Sequence, residues 1–99
     1  MWYSIVSDDA PNQLETRRAA RPAHLARLRN LQEQGRLLVA GPNPAIDSPD
    51  PGSCGFTGSL IIAEFPSLED ARSWANEDPY KQLGVYTSVT VKPFLKALP

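Results

Sequence analysis

The segment Gly58–Phe65, with the sequence GSLIIAEF, is the most apolar run of the chain and predicts a β-strand. A helix is predicted directly after it. Pro66 is followed by Ser67, and Asp70 comes three residues later, a spacing typical of a capped helix start. The apolar face of this helix would be formed by Leu68, Ala71 and Ala75. The second half of the chain therefore begins with a strand followed by a helix.

The first half of the chain has a similar order. Trp2–Val6 is aromatic and β-branched, which favours a first strand. A helical pattern follows, with Asn12 as the predicted N-cap and Gly35 as the predicted C-cap. Pro22 lies inside this pattern and cannot donate a backbone hydrogen bond, so we expect either two helical pieces or one kinked helix. Arg36–Gly41 then predicts the second strand.

The end of the chain completes the pattern. Asp78 and Pro79 predict one short helical turn, and Gly84 precedes a final strand over Val85–Phe94. The order β-α-β-β-α-β predicts an α+β, ferredoxin-like fold, with a four-stranded antiparallel sheet and the helices on one face. With 99 residues in one domain, 1–99, no further element is left to cover the other face. We therefore expect a homodimer that packs sheet to sheet.

Composition and charge exclude several classes of protein. The net charge of −1 offers no excess positive field for nucleic-acid phosphates. No window is long and apolar enough to span a membrane, and the N-terminus does not resemble a signal peptide. The single cysteine, Cys54, allows no intrachain disulfide, and one cysteine with one histidine makes a structural zinc site implausible. We expect a cytoplasmic protein without metal or cofactor.

His24 is the only histidine and the first candidate for chemistry, since imidazole exchanges protons near neutral pH. Arg17 and Arg21 precede it at helical spacing, so all three would share one face. Such a face suits an anionic ligand, although a solvated basic surface would have the same pattern. Asp78 could orient the imidazole through a hydrogen bond, or simply cap a helix. The spacing in the sequence does not show that Asp78 reaches His24. Both predicted helices lie on the same side of the sheet, however, so the two side chains could meet near one edge.

The irregular segment 41–58, rich in proline and glycine, is unusually long for a compact domain and is expected to be functional or mobile. A small-molecule ligand would bind between this segment and the sheet, which makes Gly41 and Tyr80 candidate binding residues beside Arg17 and Arg21. RNA-recognition domains share the predicted element order. They need base-stacking aromatic residues on strand three, and Ser59–Ile62 supplies none.

Several motifs together resemble the YciI-like family across practically the whole chain. They are Arg21-Pro22-Ala23-His24-Leu25, Gly35–Pro42, Asp50-Pro51-Gly52, Gly55–Ser59, Ala75–Tyr80 and Gly84-Val85-Tyr86. The resemblance implies a ferredoxin-like protomer of the dimeric α+β barrel superfamily, with a site built on His24 and Asp78. Relatives in that superfamily include lyases, isomerases and monooxygenases, and one YciI-like relative is a dehydrochlorinase.

Three hypotheses follow for the function. The first is a small enzyme of lyase or isomerase type, with His24 as general acid and base and Asp78 as its partner, acting on a small anionic or phenolic metabolite. The second is a module that binds a small ligand, or mediates association, without catalysis. The third treats His24 and Asp78 as a structural hydrogen bond between two helices.

Overall fold

The computed structural model describes residues 1–99. It contains four strands, β1 (Trp2–Asp9), β2 (Leu37–Pro44), β3 (Phe56–Glu64) and β4 (Tyr86–Phe94), and three helices, α1 (Leu14–Glu33), α2 (Leu68–Asn76) and α3 (Pro79–Gln82). A 3₁₀ turn covers Gly52–Cys54. No helix is both long and apolar enough to cross a membrane.

The strands form one sheet in the order β2-β3-β1-β4, and every neighbouring pair is antiparallel. Ile5 in β1 lies opposite Ile61 in β3 on one side and Val91 in β4 on the other. The ferredoxin-like α+β fold that the element order predicts is confirmed.

One face of the sheet carries the core. Along β1 the residues Tyr3, Ile5 and Ser7 are buried, because alternate residues of a strand point to the same face. The helices α1 and α2 cover this face with apolar side chains. The resulting core consists of Tyr3, Ile5, Leu28, Leu31, Ile61, Ala63, Phe65, Ala71 and Ala75.

No element of the chain covers the opposite face. Val6 of β1 lies opposite Leu60 of β3, and their exposed fractions are 44% and 37%. Val39 of β2 is 48% exposed and pairs with Ile62. Val6, Leu60 and Val39 are here called the open-face patch.

The start and middle of α1 differ from the sequence prediction. Asn12 is not the N-cap: it has a φ of +61°, a turn conformation that asparagine tolerates, and Gln13 precedes the helix instead. The two-piece alternative at Pro22 is also wrong, because α1 is one continuous helix. Pro22 lies on the exposed side of α1, where water can hydrate the carbonyl that loses its partner, while buried residues such as Ala20 and Leu28 hold the helix against the sheet.

The end of α1 is close to the prediction. Gly35 follows the C-cap Gln34 with a φ of +70°, and its N–H donates to the carbonyl of Gln32. The N–H of Arg36 donates to the carbonyl of Leu31, which completes a Schellman motif. Only a residue that tolerates positive φ can stop the helix in this way, and glycine does so without strain.

The irregular segment is shorter than the predicted 41–58. The strand β2 continues to Pro44, and β3 already begins at Phe56. Proline signals a loop in most sequences, but β2 lies at the edge of the sheet, where a missing backbone N–H is tolerated. The connection is therefore restricted to residues 45–55.

Candidate active site

The site centres on a contact between His24 and Asp78, which lie 54 residues apart in sequence. Nδ1 of His24 is 2.9 Å from Oδ1 and 2.9 Å from Oδ2 of Asp78. His24 projects from the buried side of α1, and Asp78 is the N-cap of α3, where its Oδ1 accepts the N–H of Tyr80 at 2.9 Å. The cap places the carboxylate at a fixed point of the turn, and α1 brings the imidazole to it.

Tyr80 fixes the plane of the imidazole. The two rings are stacked, with centroids 4.0 Å apart and planes at 10° to each other. Since Nδ1 faces the carboxylate, a proton on Nδ1 would be donated to Asp78, and Nε2 would then carry the lone pair. Nε2 makes no hydrogen bond with the chain and is not among the polar atoms shut off from solvent.

A cavity of about 160 Å³, here called the inner cavity, opens beside His24. Its polar lining residues sit mainly on α1, and its apolar wall comes from α1, β2 and β3. The lining consists of Arg17, Arg21, His24, Leu25, Leu28, Ala40, Gly41, Pro42, Ser59, Ile61 and Tyr80. The sequence-predicted candidates Arg17, Arg21, His24, Gly41 and Tyr80 thus converge on one space, with Asp78 behind the imidazole.

Arg17 is held in place by the protein itself. Its Nε donates to Asp9 Oδ2 at 2.6 Å, and its Nη2 donates to Asp9 Oδ1, to the carbonyl of Gly58 and to Ser59 Oγ. Burial alone would lower the pKa of Arg17, but the hydrogen bond and charge of Asp9 keep it above its ordinary value. Only Nη1 has no partner within the chain, so most of this guanidinium serves the structure.

Gly58 permits this close packing. A Cβ atom at this position would lie 2.1 Å from the carbonyl oxygen of Ser7 on the neighbouring strand. Glycine is therefore required for β1 and β3 to pair here, and its carbonyl remains directed at Arg17.

The comparison with known proteins agrees with this architecture. The YCII-related domain model matches residues 1–95. The chain belongs to this family. It is 59% identical to protein YciI of Escherichia coli, over 97% of this chain and 98% of that protein. An uncharacterized protein of Haemophilus influenzae is 56% identical over the same shares of both chains.

Two further similarities involve proteins with informative names. The derivative of benzaldehyde biosynthesis cluster protein C from Emericella nidulans is 36% identical over 72% of this chain and 74% of its own length. The solved structure of 5-chloro-2-hydroxyhydroquinone dehydrochlorinase from Burkholderia phenoliruptrix, in complex with 2,5-dihydroxybenzoquinone, is 27% identical. It superposes with a TM-score of 0.84 over 96% of this chain and 94% of the dehydrochlorinase.

Asp9 and Ser59 near this site were not predicted from the sequence, and Tyr86 was considered only as an apolar pocket or core residue. The hydroxyl of Tyr86 donates to Ser59 Oγ at 2.9 Å, and Ser59 is 3% exposed. Burial raises the pKa of Tyr86 well above its ordinary value. A signal for Ser59 was present, since it shares its strand face with Ile61 and Ala63 and is the polar member of an otherwise apolar row.

The charge around Tyr80 is also shaped by its surroundings. Burial raises the pKa of Tyr80, and the positive charges of Arg17 and Arg21 partly offset that effect. No group of three His, Cys, Asp or Glu side chains is arranged to hold a metal ion. The titratable side chains that line the inner cavity are Arg17, Arg21, His24 and Tyr80.

Proposed function

We propose that the chain is a small enzyme of lyase or isomerase type that uses His24 as general acid and base on a small anionic or phenolic metabolite. One observation supports the proposal most strongly. Nδ1 of His24 lies within hydrogen-bonding distance of Asp78, while Nε2 has no hydrogen-bond partner in the chain and the imidazole lines the inner cavity. A histidine that served only as a link between helices would not need an adjoining cavity.

The proposed reaction begins with the neutral imidazole. Asp78 accepts a hydrogen bond from Nδ1–H, which leaves the lone pair on Nε2. Nε2 removes a proton from a ring hydroxyl or from the carbon next to a carbonyl group, and the carboxylate of Asp78 stabilises the imidazolium that forms. In an isomerisation the same proton returns to another substrate atom. In an elimination an anionic leaving group departs with the bonding electron pair, and His24 passes its proton to water.

The relatives support the substrate class. The solved dehydrochlorinase is named for a chlorinated, hydroxylated ring and holds 2,5-dihydroxybenzoquinone. Its likeness covers almost all of this chain, so a small hydroxylated ring or its quinone form is the class of compound to test first. A volume of about 160 Å³ favours a small compound in the inner cavity.

The catalytic proposal is tested by comparing His24→Gln with the unaltered protein on a panel of hydroxylated aromatic and enolisable compounds. We expect turnover to fall about 10²–10⁴-fold, the usual contribution of a positioned acid or base. Arg29→Gln is the control, because Arg29 lies exposed on the same helix and does not line the cavity beside His24. Full activity of His24→Gln would contradict the proposal, and ligand binding without any turnover would favour a binding module.

The role of Asp78 is tested separately by nitrogen NMR of the His24 ring in Asp78→Ala. We expect the proton to redistribute between Nδ1 and Nε2, since the acceptor that fixes the tautomer is lost. An unchanged tautomer and an unchanged titration would show that Asp78 does not orient the imidazole.

We also infer that two copies pair through the open-face patch, because exposed apolar side chains on a sheet face are commonly covered by a partner. Leu60→Lys should shift the protein toward the monomer in sedimentation velocity. Leu83→Lys is the control, since Leu83 is 59% exposed but lies after α3, away from that face. A monomeric unaltered protein would refute the pairing.

A further inference from the structure

A second space, here called the outer cavity, adjoins the inner one. Its volume is about 320 Å³, and it shares Arg17, Arg21, Pro42 and Tyr80 with the inner cavity. The rest of its lining comes from the start of α1 and from the 45–55 connection: Leu14, Arg18, Asp50, Pro51, Gly52 and Phe56. The inner cavity alone is below the roughly 300–1,000 Å³ of typical small-molecule sites, and the two together fall within that range.

Helix α1 contributes different side chains to the two cavities. His24 lines only the inner cavity, Arg21 lines both, and Arg18 lines only the outer one. With a rise of 1.5 Å per residue, Arg21 and Arg18 lie about 4.5 Å and about 9 Å from His24 along the helix axis. Arg21 and His24 therefore leave α1 less than one helical turn apart, so a ligand that carries an anionic group and a hydroxyl on one ring can face both side chains.

The positive charges of the outer cavity are not equally available. Arg17 is paired with Asp9 at 2.6 Å, with both side chains nearly fully buried. Arg18 is exposed and has a long contact of 3.3 Å with Glu15. Arg21 makes no ion pair and no hydrogen bond, so its whole guanidinium is available to a ligand.

Asp50 limits the charge that the outer cavity can accept. Its carboxylate belongs to the lining and makes no ion pair. A single negative charge can be balanced by Arg21, whereas a phosphate dianion would also meet the repulsion of Asp50. The half-buried ring of Phe56 adds an aromatic side chain to this lining.

We propose that the outer cavity binds the carboxylate of a hydroxylated aromatic monocarboxylic acid through Arg21, while the ring hydroxyl reaches Nε2 of His24. This rests on the proposed function for the role of His24, and it narrows the substrate from anionic or phenolic compounds to compounds that are both. Arg21 is the substrate-binding residue of this assignment, and Asp50 selects for a single charge.

The test compares 4-hydroxybenzoate with 4-hydroxybenzamide, which has the same shape without the charge. Affinity is measured by NMR titration at low salt, and the Arg21 Nε–H signal reports the outer cavity. We expect the acid to bind about tenfold more tightly than the amide, which corresponds to one charge-assisted hydrogen bond. Arg21→Gln should abolish the preference, and Arg29→Gln should keep it.

Asp50→Asn gives a second, independent readout. Removal of the opposing carboxylate should tighten the binding of 4-hydroxybenzoate about threefold and leave the amide unchanged. Equal affinities for acid and amide in the unaltered protein would overturn the assignment. So would tighter binding of 4-hydroxyphenyl phosphate than of 4-hydroxybenzoate.

The outcomes separate this assignment from the proposed function. An acid preference that depends on Arg21, found together with full activity of His24→Gln, would keep the carboxylate site and refute the catalysis. Turnover that depends on His24, found with no preference for the acid, would keep the catalysis and refute the carboxylate site.

Discussion

Two buried charge contacts lie two helical turns apart on the same face of α1, and they differ in what they leave open. Arg17 and Asp9 form a pair in which four hydrogen bonds tie the guanidinium to β1 and β3. His24 and Asp78 are equally buried, but Nε2 of the imidazole has no partner. The first contact occupies two of the three guanidinium nitrogens, Nε and Nη2, whereas the second occupies one of the two imidazole nitrogens. Burial alone does not show this difference: three residues accept hydrogen bonds from the guanidinium, whereas one residue hydrogen-bonds to the imidazole.

The largest expected loss of stability comes from removing the carboxylate that pairs with Arg17. Asp9→Ala leaves the Arg17 guanidinium in the interior without its counter-charge, and the free energy of unfolding should fall by about 3–5 kcal/mol. Denaturant titration measures this change. Asp8→Ala is the control, because Asp8 is exposed, and it should cost about 0.5 kcal/mol. Similar losses in both variants would show that the Arg17 pair contributes little.

A smaller loss of stability is expected when the hydrogen bond from Tyr86 to Ser59 is removed; Ser59 also accepts a hydrogen bond from Arg17. Tyr86→Phe removes the hydroxyl that donates to Ser59, which should cost about 1 kcal/mol at neutral pH. Burial raises the pKa of Tyr86 in the folded chain, so the folded state retains its proton at a pH where the unfolded chain has lost it. This contribution to stability is complete below about pH 10 and is lost as the pH rises above that value.

Denaturant titrations between pH 8 and pH 11 check the sign. The unaltered protein should lose stability faster than Tyr86→Phe above about pH 10, by up to about 1.4 kcal/mol per pH unit. Tyr80 remains in both proteins, so its own raised pKa contributes equally to both curves. Parallel curves would mean that the Tyr86 hydroxyl titrates normally.

The smallest change in stability is expected for Arg21, in contrast to the buried Arg17 on the same helix. Arg21 is exposed and unpaired, so Arg21→Gln should change the free energy of unfolding by less than about 0.5 kcal/mol. Thermal unfolding measures it beside Arg17→Gln, for which a large loss is expected. A large loss of unfolding free energy in Arg21→Gln would show that Arg21, like Arg17, stabilises the fold.

The sequence predicted the parts of the fold that depend on local chemistry. Ser67 accepts the N–H of Asp70 at 3.1 Å, and Asp78 caps the turn that begins at Pro79. Gly35 ends α1 within one residue of the expected position. Each of these signals works through neighbours within a few residues, so the tertiary structure did not override it.

The prediction failed where tertiary packing decided the outcome. Of the two alternatives at Pro22, two helical pieces or one kinked helix, the two-piece alternative is wrong, because the buried side of α1 packs on the sheet and keeps the helix continuous. Pro42 and Pro44 lie in an edge strand, although in isolation they indicate a loop. The partner of Arg17 also escaped prediction, because β1 extends three residues beyond Val6 and thereby brings Asp9 beneath the helix.

The candidate site was predictable as a set of residues but not as an arrangement. His24 stands out as the single histidine, and Asp78 stands out by its cap motif. Their contact depends on how two helices pack across the sheet, which no spacing in the sequence encodes. Arg17 and Arg21 are four residues apart on one helix, yet only Arg17 is hydrogen-bonded. This difference also depends on tertiary packing, because the partners of Arg17 are Asp9, Gly58 and Ser59 on the sheet.

The separation of His24 and Asp78 by 54 residues has a consequence for how the site comes into being during folding. Closing so long a loop is slow and entropically costly, and the contact between Arg17 and Ser59 spans 42 residues of its own. Each half of the chain supplies one partner of each contact, so a fragment that ends in the 45–55 connection carries His24 and Arg17 without Asp78 or Ser59. The contact between His24 and Asp78 therefore forms only after α3 has docked against α1, and its appearance on refolding would report that docking.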